Sequence, residues 1–221
     1  MKNIVKNTIV VVIIFISCFA RSESMDSLNE KMVDELVNWG DSDKLAVASS
    51  YLVDKKLPKE YYNPNNVFDK KLDTVWAAGG TGNGINEYII FNIDFGPQPF
   101  KYPLETDMQV INGCVVTDEL FRANNRIKKA TLEIFEGEIA LGQDRTRILQ
   151  MPILNKTMEL NFSDTKQPQT VTIKVNKKLK SLEKDFFTYA YFGKLIIKEV
   201  YPGSKYPDTC ITEISFKPKN W

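Results

Sequence analysis

Apolar and polar positions alternate along most of the chain after about residue 44, with the two-residue period of half-buried strands. The alternation is clearest in residues 87–95, 127–135 and 169–175, and shorter apolar-rich runs follow at 195–200 and 211–216. Clusters of proline, glycine and asparagine separate these runs, and strands do not alternate with helices. The pattern therefore predicts an all-β fold, an antiparallel β-sandwich formed by one domain over residues 44–217.

A helical pattern precedes the strands. Ser27 and Glu30 have the spacing of a capping box, and Leu28, Met32 and Leu36 form an apolar stripe at helical spacing. We predict a helix over residues 28–39, within an N-terminal segment spanning 23–43. This helix would pack on the domain edge or space the domain from a lipid anchor, and the alternative is a partner-binding helix.

The first residues have the pattern of an export signal. Lys2 and Lys6 precede an apolar run from residue 9 to 16, which is too short to span a membrane. Two interpretations of cleavage remain open: removal of a signal peptide, residues 1–22, or a lipobox that ends before a lipidated Cys18. Either predicts an exported protein that is periplasmic, an outer-surface lipoprotein or secreted.

Composition excludes several classes of function. The formal net charge of +1 gives no electrostatic argument for nucleic acid or for an anionic membrane surface. The chain contains no histidine, which removes Ser–His and Cys–His nucleophile pairs and His-ligated zinc sites. We therefore predict a non-enzyme, since the remaining catalytic hypothesis, a carboxylate-pair hydrolase, needs two acids facing each other across a cleft.

The cysteines form one candidate pair. Cleavage or lipidation removes Cys18 from the count of free thiols, which leaves Cys114 and Cys210 in the folded part. An oxidising exported environment permits a disulfide between them, and this is the prediction. The alternative is two buried thiols that pack as small hydrophobic groups.

Two loop segments are candidates for chemistry. The glycine-rich residues 79–84 lack the lysine of a phosphate-binding loop and precede a predicted strand, so we expect a loop whose backbone can approach a ligand. Asp69, Asp73 and Thr74 offer the oxygen ligands that calcium prefers. The alternative for these three is a turn held by side-chain hydrogen bonds, with Trp76 in the core.

Several short motifs carry a resemblance to a known family. Ala48-Ser49-Ser50-Tyr51, residues 62–69 and residues 73–76 resemble the discoidin, or factor five/eight type C, family. Residues 82–89, 124–128 and 200–214 are similar to one bacterial branch, the NAD glycohydrolase translocation domain. The resemblance covers residues 44–217.

This resemblance implies a galactose-binding-like jelly roll and a non-catalytic role. Domains of this kind bind sugars, lipid head groups or protein surfaces through loops at one end of the sandwich, and the translocation branch directs an attached enzyme by engaging surface glycans. The implied partner is a glycan or a cell-surface protein, with membrane contact only through the N-terminal anchor. The competing hypothesis is a structural or adhesive sandwich that binds protein and has lost sugar binding.

The resemblance also implies particular site residues. A structural calcium would lie at Asp69, Asp73, Thr74 and Glu213, with no other cofactor. The family's Asp-Gly turn is Asp69-Lys70 here, which would strain the backbone if the turn needs a positive φ.

Five residues in the motif segments offer the polar and aromatic groups of a sugar site: Asn83, Asn125, Arg126, Tyr206 and Asp208. The alternative is that Arg126 and Asp208 form a structural ion pair while the neighbouring asparagines cap turns. An open pocket with aromatic groups would favour ligand binding, and a flat apolar patch would favour the protein-binding hypothesis.

Overall fold

The computed structural model describes residues 45–96, 102–141, 147–176 and 188–219. Its strands are, in chain order, β1 Ala46–Ala48, β2 Trp76–Ala77, β3 Tyr88–Asn92, β4 Leu104–Asn112, β5 Arg126–Leu141, β6 Arg147–Asn161, β7 Gln169–Val175, β8 Thr188–Tyr201 and β9 Cys210–Pro218. A 3-10 helix spans Pro64–Phe68, and a short α-helix, α1, spans Asp118–Ala123. The predicted signal segment, Cys18 and the predicted helix over 28–39 lie outside the described residues.

The strands form two antiparallel sheets. One sheet has the order β1-β3-β8-β5-β6 and the other has the order β2-β9-β4-β7. This confirms the predicted all-β sandwich. In the part of the chain that the structure describes, no helix is both long enough and apolar enough to cross a membrane.

The core lies between the facing surfaces of the two sheets. From the five-stranded sheet, Phe91 and Leu132 point into it and are fully buried, and Met108 and Ile214 do the same from the four-stranded sheet. Trp76 is also fully buried and its indole Nε1 donates to the carbonyl of Ser50 at 3.0 Å. The predicted core position of this tryptophan is therefore confirmed.

Strands β4 and β6 were missing from the sequence prediction for identifiable reasons. The buried face of β4 includes the polar Thr106 and Asn112, which breaks the apolar alternation. The side chain of Asn112 donates through Nδ2 to the Ile127 carbonyl at 2.7 Å and accepts through Oδ1 from the Ile127 backbone amide at 2.9 Å. These two bonds join β4 to β5 of the other sheet. Strand β6 is an edge strand, and its adjacent apolar residues Ile153 and Leu154 are both exposed.

The 3-10 helix packs against β9 and fixes the turn that follows it. The Asn63 side chain caps its start by accepting from the Asn65 amide at 2.8 Å. Phe68 at its end contacts the rings of Phe91 and Phe216, with centroids 5.7 and 6.5 Å away. These aromatic contacts hold the turn beginning at Asp69 next to β9.

Candidate functional site

A cleft of about 620 Å³ lies where the loops beside β2, β4 and β9 meet. Its lining residues come from five stretches of chain, the first three of them close in sequence and the last two distant: Leu52, Val53, Asp54, Lys55 and Lys56; Tyr61 and Tyr62; Asp73, Val75 and Ala77; Cys114, Val116, Leu120 and Asn124; Tyr206, Asp208 and Cys210. The cleft thus combines an apolar floor with tyrosine, carboxylate, amide and ammonium groups.

The floor of the cleft is a small apolar cluster. Val75, Ala77, Cys114 and Cys210 are buried together, and Leu52, Tyr62 and Leu120 pack against them. The Gly113 amide donates to the Cys210 carbonyl at 3.0 Å, which brings the end of β4 beside the start of β9. The floor of the cleft therefore offers a ligand an apolar surface.

Both cysteines of the floor are free thiols. The structure therefore differs from the predicted Cys114–Cys210 bridge and has the alternative arrangement, in which both sulfurs pack as small hydrophobic groups. Burial raises the pKa of the Cys114 thiol and raises that of Cys210 well above its ordinary value. Thiolate is the reactive form of cysteine, so these raised pKa values lower the fraction of each thiol that can react.

One wall of the cleft carries an adjacent pair of tyrosines. Their rings meet edge to face, with centroids 4.9 Å apart, and Tyr61 is 48% exposed while Tyr62 is half-buried. The Asn66 side chain donates to the Tyr61 carbonyl and to the Val75 carbonyl, both at 2.9 Å. This single amide joins the tyrosine loop to the segment that leads into β2, so the backbone of the tyrosine loop is held in place.

The opposite wall is built on the C-terminal end of α1. The Tyr206 amide donates to the Ala123 carbonyl at 2.8 Å, and the Asn124 side chain donates to the Leu120 carbonyl at 2.9 Å. Helix ends leave carbonyls without intrahelical partners, and here the loop after β8 satisfies two of them, those of Arg122 and Ala123. Tyr206, 37% exposed, is thereby fixed at the rim.

Asp208 lies next to Asn124 at the inner end of this wall. A parallel β-bridge pairs Asn125 with Thr209, and the Asn125 backbone amide donates to the Asp208 carbonyl at 2.9 Å. The residues that precede this pair, Asn124 and Asp208, are therefore also neighbours. Burial raises the pKa of the Asp208 carboxyl. In the described part of the chain no lysine or arginine pairs with this carboxylate.

Two predicted ligand contacts have structural roles instead. The Asn125 side chain is 2% exposed, donates to the Pro207 carbonyl and accepts from the Gly203 amide, both at 2.6 Å. Arg126 is 7% exposed and lies over the Phe121 ring, 5.2 Å from its centroid. Neither lines the cleft. The prediction that these two side chains contact a ligand is therefore corrected.

Arg126 pairs with a different carboxylate from the one expected. Its Nε and Nη2 donate to the two oxygens of Asp164 at 3.0 and 2.8 Å, and its Nη1 donates to the carbonyls of Asn124 and Pro202. The alternative ion pair with Asp208 is thus also corrected. The guanidinium satisfies carbonyls at the bases of two loops, which is why arginine is needed at this position.

Asn83 is the remaining predicted ligand contact outside the cleft. Its backbone carbonyl accepts from the Thr209 hydroxyl at 2.6 Å, which ties the glycine-rich loop to the segment before β9. Of the five predicted ligand residues, the structure places two, Tyr206 and Asp208, in the cleft.

The predicted metal ligands divide between two places. Asp69 and Thr74 are joined by a hydrogen bond of 2.8 Å from the threonine hydroxyl, and Asp69 is close enough to Glu213 on β9 to raise the pKa of that carboxyl. Asp73 lines the cleft. Among the described residues, no group of three or more histidine, cysteine, aspartate or glutamate side chains is arranged to hold a metal.

The turn after Asp69 has the backbone conformation that the sequence analysis anticipated. Lys70 has φ 61°, in the left-handed region that favours glycine. Its backbone amide and its charge both act on Glu213 and lower the pKa of that carboxyl. Burial and the Asp69 charge outweigh them and raise the pKa of Glu213 to about 7.

The Glu213 side chain has one buried oxygen that lacks a hydrogen-bond partner. This oxygen is Oε2, and the residue is 8% exposed. Buried carboxylate oxygens are normally paired or coordinate a metal. Asp69, Thr74 and Glu213 are therefore the residues that would hold calcium, supplemented by backbone carbonyls as is common in such sites.

The sequence analysis did not identify most of the cleft. It missed the tyrosine pair, Leu52, the two lysines of the same loop and Asn124. Two adjacent tyrosines in a polar loop before Asn63-Pro64 are a signal that could have found the wall, because aromatic groups outside a strand pattern have no core to fill.

A family model described as the NAD glycohydrolase translocation F5/8 type C domain matches residues 39–217. The chain belongs to this family. No curated protein matches its sequence. The match confirms the resemblance inferred from the short motifs and agrees with the β-sandwich described above.

Several solved structures are similar to this translocation domain. They include the mycobacterial arabinofuranosyltransferase AftD, with 16% identity and a TM-score of 0.44, covering 79% of this chain and 10% of that one. The family 32 CBM of Clostridium perfringens NanJ in complex with galactose has 15% identity and a TM-score of 0.40, covering 80% and 95%. CpGH89CBM32-5 from the same species, in complex with GalNAc-β-1,3-galactose, has 14% identity and a TM-score of 0.38, covering 81% and 97%. The chain thus spans about a tenth of the transferase, and similarities this low carry no argument about its ligand.

Proposed function

We propose that this protein is an exported, non-catalytic binding module that recognises carbohydrate through the cleft between Tyr61 and Tyr206. The observation that carries the proposal is the combination of exposed tyrosine rings with a set of hydrogen-bond acceptors around an apolar floor. Sugar rings present apolar C–H faces and a fringe of hydroxyl groups, so aromatic surfaces and convergent polar groups are the features that bind them.

The form of the cleft favours this proposal over the protein-binding alternative. A protein-binding sandwich would present a flat apolar patch, whereas the cleft is concave and has charged and amide groups beside its tyrosines. Its volume lies within the range of small-molecule sites. The hydrogen bonds that hold both walls favour a preformed site, which lowers the entropic cost of binding.

A glycan array probed with the purified protein tests the proposal. Tyr61→Ala and Tyr206→Ala remove exposed rings from opposite walls, and Leu154→Ala removes an equally exposed side chain on β6, outside the cleft. We expect selective binding that falls about tenfold or more in each tyrosine variant and is unchanged in the control. A blank array from folded protein would transfer the assignment to the protein-binding alternative.

Two further parts of the proposal concern calcium and export. Calcium held by Asp69, Thr74 and Glu213 would neutralise two neighbouring carboxylates and fix the turn beside β9; the unpartnered Glu213 Oε2 supports this. The basic and apolar pattern before Cys18 supports export, with a lipid anchor at that cysteine or release from residue 23. N-terminal sequencing and mass of the mature protein decide between the two.

A further inference from the structure

Two acceptors of the cleft, the Asp208 carboxylate and the Asn124 Oδ1, receive no hydrogen bond from another described residue, although the Asp208 backbone amide acts on its own carboxylate. Asp208 is half-buried, and in the described chain its carboxylate receives no hydrogen bond from another side chain. Asn124 is 8% exposed, and its Nδ2 is engaged by the Leu120 carbonyl while its Oδ1 accepts from no described residue. A ligand that reaches this end of the cleft must therefore supply the donors.

The backbone holds these two acceptors side by side. The Asn125–Thr209 bridge places residues 124 and 208 at neighbouring positions, and both residues line the cleft. The Asn125 side chain bonds to Pro207 and Gly203 on the same loop, which keeps the pair in register. The acceptors are thus a built feature of the fold.

Carboxylates outnumber ammonium groups in the lining of the cleft: Asp54, Asp73 and Asp208 stand against Lys55 and Lys56. Asp208 raises the pKa of the Cys210 thiol, and Asp54 raises that of the Tyr62 hydroxyl, so both carboxylates act on the floor of the cleft. Lys55 and Lys56 line the same cleft but are exposed, and neither forms an ion pair with a described carboxylate. A group with several donors and a positive charge complements this surface.

We propose that the paired acceptors Asp208 and Asn124 bind the primary ammonium group of an amino sugar, whose ring lies against the tyrosine walls of the cleft. This inference rests on the proposed carbohydrate-binding function of the same cleft and specifies the class of sugar. An ammonium group offers three donors and one charge in a compact tetrahedral form, which suits one carboxylate and one amide oxygen in adjacent positions. The Tyr206 ring already carries the Lys205 ammonium, 4.8 Å from its centroid, so the ammonium of the ligand gains its attraction from the Asp208 carboxylate and not from that ring.

Matched ligands that differ only at the amine test the inference. Titration calorimetry compares β-1,4-linked glucosamine trimers, and galactosamine oligomers, with their fully N-acetylated forms, because acetylation removes the charge and keeps the ring. We expect the free-amine forms to bind about ten- to a hundredfold more tightly, with a preference that weakens as sodium chloride increases. This part needs no variant, so a misfolded mutant cannot obscure it.

Variants assign the preference to the named residues. Asp208→Asn keeps the shape and removes the charge, and we expect it to abolish the preference for the free amine while binding of the N-acetylated form is retained. Asp94→Asn is the matched control, since Asp94 is exposed and outside the cleft, where it accepts from the Gly96 amide. A preference that survives in Asp208→Asn would overturn the assignment to this pair.

The outcomes separate this inference from the proposed function. Equal or tighter binding of the N-acetylated forms, reduced by Tyr206→Ala, would overturn the ammonium site and leave carbohydrate binding intact. Binding of tri-lysine peptide as tightly as the amino sugars would overturn the assignment to a sugar, because the peptide carries the same ammonium without the ring. No binding by any sugar in the array or the titrations would remove both proposals.

Discussion

Arg126 binds both carboxylate oxygens of Asp164 in a fork, through Nε at 3.0 Å and Nη2 at 2.8 Å. The arginine side chain is 8% exposed and the aspartate side chain 40%, so the pair joins a buried cation to an accessible anion. Truncating Asp164 leaves the Arg126 guanidinium buried with only backbone carbonyls as partners. This lowers the stability of the fold, whereas the loss of an ion pair between two exposed side chains changes it little.

We therefore expect Asp164→Ala to lower the free energy of unfolding by about 2 kcal/mol and Arg126→Ala by about 3 kcal/mol. The matched control is Asp118→Ala, which breaks the exposed ion pair with Lys166 and should change stability much less than Asp164→Ala. Urea denaturation measures all three. Ligand affinity of folded Asp164→Ala should be unchanged, and a loss of affinity as large as that of a cleft variant would restore Arg126 as a candidate ligand residue.

Burial and the Asp69 charge raise the pKa of Glu213 to about 7 in the folded protein, against an ordinary value of 4.5. Below pH 4.5 the group is protonated in both the folded and the unfolded chain and has no effect. Between 4.5 and 7 the unfolded chain releases its proton first, so stability falls as the pH rises, and above 7 the loss is constant.

Glu213→Gln should therefore match the wild type near pH 4.5 and exceed its stability at pH 8, by at most about 3 kcal/mol, in chelator-containing buffer. Denaturant unfolding of both proteins across this range measures the difference. The comparison isolates this residue because every other titrating group is common to both proteins. A difference that does not vary with pH would contradict the raised pKa.

Calcium should reverse this loss in the wild type. An ion that binds only the folded state raises the melting temperature, and at a hundred times its dissociation constant it stabilises by about 2.7 kcal/mol, or several degrees for a domain of this size. We expect a shift with calcium that a chelator reverses, and none in Glu213→Gln. The absence of a shift in the wild type at millimolar calcium would remove Asp69, Thr74 and Glu213 as metal ligands.

The sequence predicted the sandwich well because its central strands alternate. Strand β7 has one apolar face, and burial of that face is the physical cause of the pattern, whereas in β3 and β5 residues of both faces are buried. The cleft could not be predicted in this way, since its walls come from loops more than a hundred residues apart. Asn125 and Arg126 were misassigned because ligand contact and loop fixation require the same polar groups, and the residue types alone do not distinguish them.

The thiols in the floor of the cleft give a direct test of the free-cysteine arrangement. Because burial raises the pKa of both Cys114 and Cys210, we expect neither to react with a thiol reagent at pH 8 in the folded protein. Both should react after unfolding without reductant, and mass spectrometry of the labelled peptides counts them. Protein purified from an oxidising compartment in which neither peptide is labelled would instead have the predicted disulfide.

Lys70 offers a test of backbone strain at the turn beside Glu213. A lysine at φ 61° costs about 1 kcal/mol or more relative to glycine, while glycine loses more entropy on folding, so Lys70→Gly should stabilise by roughly 0.5–1 kcal/mol. Lys71→Gly is the matched control, because it removes the same charge one residue later, where φ is not positive, and should stabilise nothing. Urea denaturation in chelator compares the two. An equal rise in the free energy of unfolding of both variants would assign the effect to the lost positive charge. The difference between the two variants measures the backbone strain at Lys70.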